Sequence, residues 1–121
     1  MSAGFSLRAR LQSFRFALAG LRTLLLEQHN TRIHLLATVL VLLLAWLLEV
    51  TAPEWLALLL TIALVWLAEA MNTALEYLAD AAVPQQHDLI RKAKDVAAAG
   101  VLICALVAVA VAALVFLPRL L

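Results

Sequence analysis

The sequence is poor in the residues that make turns and loops: in 121 residues it has three glycines, three prolines and one cysteine. Gly4, Gly20 and Gly100 lie far apart. No G-x-G-x-x-G or G-x-x-x-x-G-K-S/T loop therefore exists to wrap backbone N–H groups around phosphate. Any phosphate-bearing ligand must be held by side chains. Cys104 has no partner in the chain, which excludes disulfide scaffolds and cysteine-based zinc sites. Charge is scarce too, at 14% of residues and a net +1, so nucleic acid is not an expected partner. What is abundant is apolar: 66% of residues are hydrophobic and the mean hydropathy is +1.03. A chain this small leaves much of its surface exposed and cannot hide so much apolar area from water. A soluble enzyme and a turn-rich β fold are both excluded.

The apolar residues fall in helical patterns. Leu7, Leu11, Phe14, Leu18, Leu21 and Leu25 draw one stripe down a helix over 6–29, flanked by Arg8, Arg15 and Arg22, the pattern of an amphipathic helix lying on a membrane. A first span is expected over 33–50, with His34 as the ionisable group within Ile33 to Leu48. Thr51 and Glu54 have the spacing of a capping box that starts a new helix, which gives a second span over 54–77 and a helix continuing to about 83. After a polar link at 85–88 and a short basic helix from Leu89 to Asp95, a third span runs over 96–117 without a charge and stops at Pro118. The expected fold is a single all-α integral membrane domain over 1–121, with three transmembrane helices and an N-terminal surface helix.

Eight of the nine basic residues precede the first or the third span, and only Arg119 lies on the other side. The positive-inside rule then puts the N-terminus and the segment from Ala79 to Asp95 in the cytoplasm, and the C-terminus outside.

Within the second span, Glu69, Asn72, Thr73, Glu76 and Asp80 are spaced so that all five share one helix face. Glu76 falls near the cytoplasmic interface, and Glu69 falls ~10 Å deeper at ~1.5 Å per residue. A carboxylate at that depth costs roughly 2.5–3.5 kcal/mol on insertion scales, so ionisable groups there usually mark function. Three acids on one stripe repel each other unless cations intervene, and paired carboxylates suit a hard ion such as Mg²⁺. His87, Arg91 and Lys94 follow at helical spacing, with Asp95 beside Lys94. A lysine there can neutralise phosphate charge while carboxylates hold Mg²⁺ across phosphate oxygens. Glu27 offers a further carboxylate from the junction with the first span, where His34 is expected to hydrogen-bond inside the bundle. Two other readings stay open on these residues: a non-catalytic helical scaffold whose carboxylates set helix register, and an ion or proton carrier.

The run Ala68-Glu69-Ala70-Met71-Asn72-Thr73-Ala74-Leu75-Glu76 resembles the E-x-x-N-S/T-A-x-E signature of the small prokaryotic diacylglycerol kinase and undecaprenol kinase family. His87-Asp88, Ala93-Lys94-Asp95 and Gly20-Leu21-Arg22 match further parts of its pattern, and the resemblance covers nearly the whole chain. It implies a lipid kinase of the bacterial cytoplasmic (inner) membrane, usually a homotrimer, that transfers phosphate from ATP to a membrane lipid alcohol at sites shared between subunits. By the same resemblance Glu69 is the general base that meets the lipid hydroxyl. Glu76 ligates Mg²⁺, and Asn72 orders the site. Lys94 and Asp95 meet the nucleotide, with His87 on the loop near it.

The sequence departs from the family pattern at Gln28, where members commonly carry a metal-binding glutamate; here Glu27 stands one residue earlier. Phe16 stands where some members have a tyrosine, and the basic positions Arg8, Arg10 and Arg15 differ. Asn30 with His34 is more similar to the undecaprenol kinase branch.

Overall fold

The computed structural model describes residues 4–121 and contains, among them, four helices and no strand. These are α1 (Leu7–Glu27), α2 (His29–Leu47), α3 (Ala52–Ala82) and α4 (Asp88–Leu120). Ser6 caps α1 by accepting a hydrogen bond from the Ala9 N–H at 3.3 Å. Of α1, only Leu24 is buried, while Leu7, Leu11, Phe14, Leu18 and Leu21 stay exposed. The apolar stripe of α1 is thus left uncovered by its own chain.

The break between α1 and α2 is a single extended residue, Gln28. Arg32 reaches back across it: its Nε donates to the Leu25 carbonyl at 2.9 Å and its Nη2 to the Leu26 carbonyl at 2.7 Å. Carbonyls in the last turn of a helix lack intrahelical donors and sit at the negative end of the helix dipole, so a guanidinium satisfies both demands. With α1 capped from the far side, α2 begins at His29, ahead of the apolar run expected to start the span at 33.

The other end of α2 stops at Leu47, short of the expected residue 50. The Val50 N–H donates to Ala45 O at 3.2 Å and the Glu49 N–H to Trp46 O at 3.3 Å, the pairing of a Schellman turn. That turn places Glu49 at φ 52°, in the left-handed region. A side chain there costs roughly 1–2 kcal/mol, against which glycine's greater unfolded-state entropy partly offsets any gain. Glu49→Gly is therefore expected to raise stability by about 0.5–1 kcal/mol, seen as a higher midpoint of thermal unfolding in detergent. A lower midpoint would contradict the assignment of strain.

The capping box is present: Thr51 Oγ1 accepts from the Glu54 N–H at 3.4 Å, and Glu54 Oε1 accepts from the Thr51 N–H at 3.0 Å. The Arg119 guanidinium also donates to the Glu54 carboxylate, tying the end of α4 to the start of α3. Nearby, Ala45, Val50, Leu58, Val115 and Phe116 form the buried core. Close packing is thus concentrated at the end of the bundle where α2 turns into α3.

The short basic helix and the third span, expected as separate pieces, form one helix of 33 residues. No breaker separates Asp95 from Val96, and the His87 cap starts the helix before both. Pro118 does not end it. Its missing N–H removes one ladder bond, yet the Leu121 N–H still donates to Leu117 O at 3.0 Å. Helices α2, α3 and α4 are each long and apolar enough to cross a bilayer. At ~1.5 Å per residue, the 31 residues of α3 and the 33 of α4 reach about 46 and 50 Å, beyond a ~30 Å hydrocarbon core. The excess lies where α3 runs into α4 through residues 83–87, so their charged ends project together.

Candidate active site

The polar stripe of α3 grades from buried to exposed along the helix. Glu69 and Thr73 are each 4% exposed, Asn72 and Glu76 are half-buried, and Asp80 is exposed. Among the described residues, Glu69 is the one charged side chain that is buried. Its Oε1 lies 2.8 Å from His34 Nε2 on α2. Two further bonds brace this contact. The Trp66 indole N–H donates to Thr38 Oγ1 at 3.0 Å, and the Thr38 hydroxyl donates to the His34 carbonyl at 2.7 Å. His34 and Thr38 are one turn apart on α2, and Trp66 and Glu69 are one turn apart on α3, so two polar rungs join facing stripes.

Glu69 and His34 open on a cleft of about 360 Å³. Asn30 and Asn72 complete its polar side, and Ala98, Val101 and Ala105 of α4 form an apolar wall. A mostly apolar cleft with a few convergent polar groups is the common form of a small-molecule site. Asn72 donates from Nδ2 to Glu76 Oε1 at 3.4 Å, while its Oδ1 is buried without a hydrogen-bond partner. A buried acceptor left unpaired costs roughly 1–3 kcal/mol, which favours a ligand donor at this point.

Beyond the stripe, at the projecting ends, a second cleft of about 390 Å³ is lined by Asp80, the 83–87 link, Asp88, Arg91, Lys94 and Asp95. Lys94 Nζ lies 2.5 Å from Asp80 Oδ1 and Arg91 Nη1 lies 3.4 Å from Asp95 Oδ2. Lys94 thus pairs with an acid of α3, not with its neighbour Asp95. His87 serves as the N-cap of α4, its Nδ1 accepting from the Leu89 N–H at 3.1 Å. This fixes the imidazole at the mouth of the charged cleft.

Glu27 and Gln28 come to the same place on α3. The Tyr77 hydroxyl donates to Glu27 Oε1 at 3.3 Å and accepts from Gln28 Nε2 at 3.1 Å. Tyr77 follows Glu76 directly, so its hydroxyl ties the α1–α2 junction to the end of the stripe. Sequence spacing did not single it out, because it lies one residue off the stripe. Among the described residues, no three His, Cys, Asp or Glu side chains converge on one point. A fully protein-made metal cage is therefore not built here. Mg²⁺ seldom needs one, since it is commonly bound through one or two carboxylates together with substrate phosphates. Glu76 is half-buried beside the Asn72 amide and Glu27 is held by the Tyr77 hydroxyl, while Gln28 brings an amide instead of a charge.

Three helices long and apolar enough to cross a membrane, one buried carboxylate, and a charged cleft where two of these helices meet define a small polytopic membrane protein with an ionisable site. The chain belongs to the prokaryotic diacylglycerol kinase family, whose sequence profile matches residues 15–116. It is 44% identical over 112 residues to a protein of Synechocystis sp. named diacylglycerol kinase, a match that covers 92% of this chain and 64% of that protein. It is 32% identical over 109 residues to a protein of Bacillus subtilis named undecaprenol kinase, covering 90% of this chain and 89% of that protein. The chain thus spans less than two thirds of the length of the Synechocystis relative.

Proposed function

We propose that the protein transfers the γ-phosphoryl group of ATP to the hydroxyl of a membrane lipid alcohol, either diacylglycerol or undecaprenol, at the cytoplasmic interface. The product is phosphatidic acid or undecaprenyl phosphate. One observation carries this reading: the buried carboxylate of Glu69 faces an apolar cleft, and the same helix leads within three turns to a charged cleft that holds Lys94. A reaction between a lipid hydroxyl and a nucleotide phosphate needs both surroundings along one helix. Membership of the family, and relatives named as kinases of these two lipids, support it.

In this reaction the lipid oxygen attacks the γ-phosphorus, the bond to the β-phosphate oxygen breaks, ADP leaves, and the hydroxyl proton passes to Glu69. Glu69 is the general base, placed where the hydroxyl of a lipid still seated in the bilayer arrives. Asn72 orders Glu76 through its amide and offers its free Oδ1 to the ligands. Lys94, released from Asp80, neutralises phosphate charge. Asp95 and His87 line the nucleotide cleft with it. Glu76 and, through Tyr77, Glu27 are the residues that would hold Mg²⁺, which when bound neutralises charge on the phosphate oxygens. The N-terminus faces the cytoplasm, the C-terminus lies outside, and the active assembly is a homotrimer in the bacterial inner membrane.

The test is an assay of the purified protein in mixed micelles with Mg-ATP and each lipid alcohol in turn, comparing kcat/KM. Lipid-dependent ADP release with formation of the phosphorylated lipid is expected for at least one of the two. No turnover with either, from a folded protein, would leave a scaffold role in its place.

A further inference from the structure

The contact that the buried Glu69 makes across the bundle is one that the catalytic outline above does not use. His34 Nε2 and Glu69 Oε1 are 2.8 Å apart, with side chains 21% and 6% exposed. A histidine hydrogen-bonded between helices ordinarily serves as glue. Here its placement argues for more. Its partner is the buried acid, both side chains line the same cleft, and the His34 main chain is itself held through Thr38 and Trp66.

We propose that His34 is a positioning residue for phosphoryl transfer, which orients the Glu69 carboxylate and keeps one of its oxygens occupied so that the other receives the lipid proton. An ionised carboxylate has no hydrogen to donate, so in the reactive state Nε2 carries the hydrogen and Glu69 Oε1 accepts it. Oε1 is then committed to α2. Oε2 takes no hydrogen bond from the described residues and is the oxygen left for the hydroxyl in the cleft. A carboxylate on a flexible side chain would otherwise sample several rotamers, and locked rotamers are what a general base requires. This inference rests on Glu69 acting as the base, and it assigns His34 no proton transfer with the substrate.

The experiment compares His34→Ala, His34→Gln, Glu69→Gln and the double variant His34→Ala/Glu69→Gln with the unaltered protein in the micelle assay. Thermal unfolding is recorded for each. Glutamine can place an N–H near the position of Nε2 and does not titrate. His34→Ala is expected to lower kcat by about ten- to hundredfold, a part of the roughly 10²–10⁴-fold worth of a general base, with KM for Mg-ATP nearly unchanged. His34→Gln is expected to recover most of the loss. In the Glu69→Gln background, His34→Ala should lower the residual rate little further, since the two residues act as a unit.

Wild-type kcat in His34→Ala overturns the proposal. So does a loss that follows the fraction of unfolded protein, because that is the behaviour of glue. A His34→Gln variant as slow as His34→Ala, with both folded, overturns it as well. The two levels of the argument separate cleanly. An active Glu69→Gln variant removes the base assignment itself, whereas an inactive Glu69→Gln beside a fully active His34→Ala removes only the role of His34.

Discussion

Glu69→Gln is expected to lower lipid phosphorylation by about 10²- to 10⁴-fold, the usual worth of a positioned general base, while the protein folds and retains most of its Mg-ATP binding. The amide is nearly isosteric with the carboxylate and preserves an acceptor oxygen for His34 Nε2, 2.8 Å away in the parent protein. What it lacks is basicity. Burial makes the substitution favourable for folding, since it removes a charge that is 4% exposed at its residue and costs free energy to keep within a membrane. Thermal unfolding in detergent should therefore show equal or higher stability alongside the loss of rate. Full activity in a folded Glu69→Gln variant would remove Glu69 from the chemistry.

Glu76→Gln is expected to act on a different variable. Glu76 is half-buried one turn beyond Asn72, accepts from its amide at 3.4 Å, and precedes the tyrosine that holds Glu27. With Gln28 uncharged, this site has few carboxylates to spare, so losing one weighs heavily. The Mg²⁺ concentration for half-maximal rate should rise by about 10- to 100-fold, the scale seen when groups supporting a metal site are removed. Part of the rate should return at high Mg²⁺. For Glu69→Gln no Mg²⁺ concentration should restore it, and this contrast separates metal holding from proton transfer. An unchanged Mg²⁺ titration in Glu76→Gln would take that residue out of the metal site. Direct binding of Mn²⁺, in the presence of a non-hydrolysable ATP analogue, gives a readout independent of turnover.

Much of the fold was legible because helices are local objects. The stripe from Leu7 to Leu21, the Thr51–Glu54 capping box and the apolar runs follow from residue spacing alone, and all appear as helices or caps. Where expectation and structure differ, the hydrogen bonding at the helix ends decided. Arg32 reaches α1 carbonyls and lets α2 begin at His29. A Schellman turn closes α2 at Leu47 despite the absence of glycine at Glu49. Pro118 is tolerated because only one ladder bond is lost so near the end of the helix.

The site divides in the same way. That Glu69, Asn72, Thr73, Glu76 and Asp80 share a face is arithmetic on 3.6 residues per turn, whereas the decrease in burial toward Asp80 reports how closely the neighbouring helices cover each of them. Which side chains meet them is not arithmetic. His34 comes to Glu69 across 35 residues, Tyr77 to Glu27 across 50, and Lys94 to Asp80 across 14. A shift of one residue in the rotation or height of one helix against another would exchange every one of these partners.

The scarcity of glycine and cysteine, and the apolar excess, by themselves determined a helical membrane protein with no glycine loop to hold phosphate by its backbone. Spacing along one helix determined which acids share a face. Only the tertiary structure decided that Glu69 is held by a histidine, that Gln28 and Glu27 meet on a tyrosine hydroxyl, and that Lys94 pairs with Asp80. Those contacts depend on how helices rotate and slide against one another, and packing between distant segments sets that, not the order of residues within any one of them.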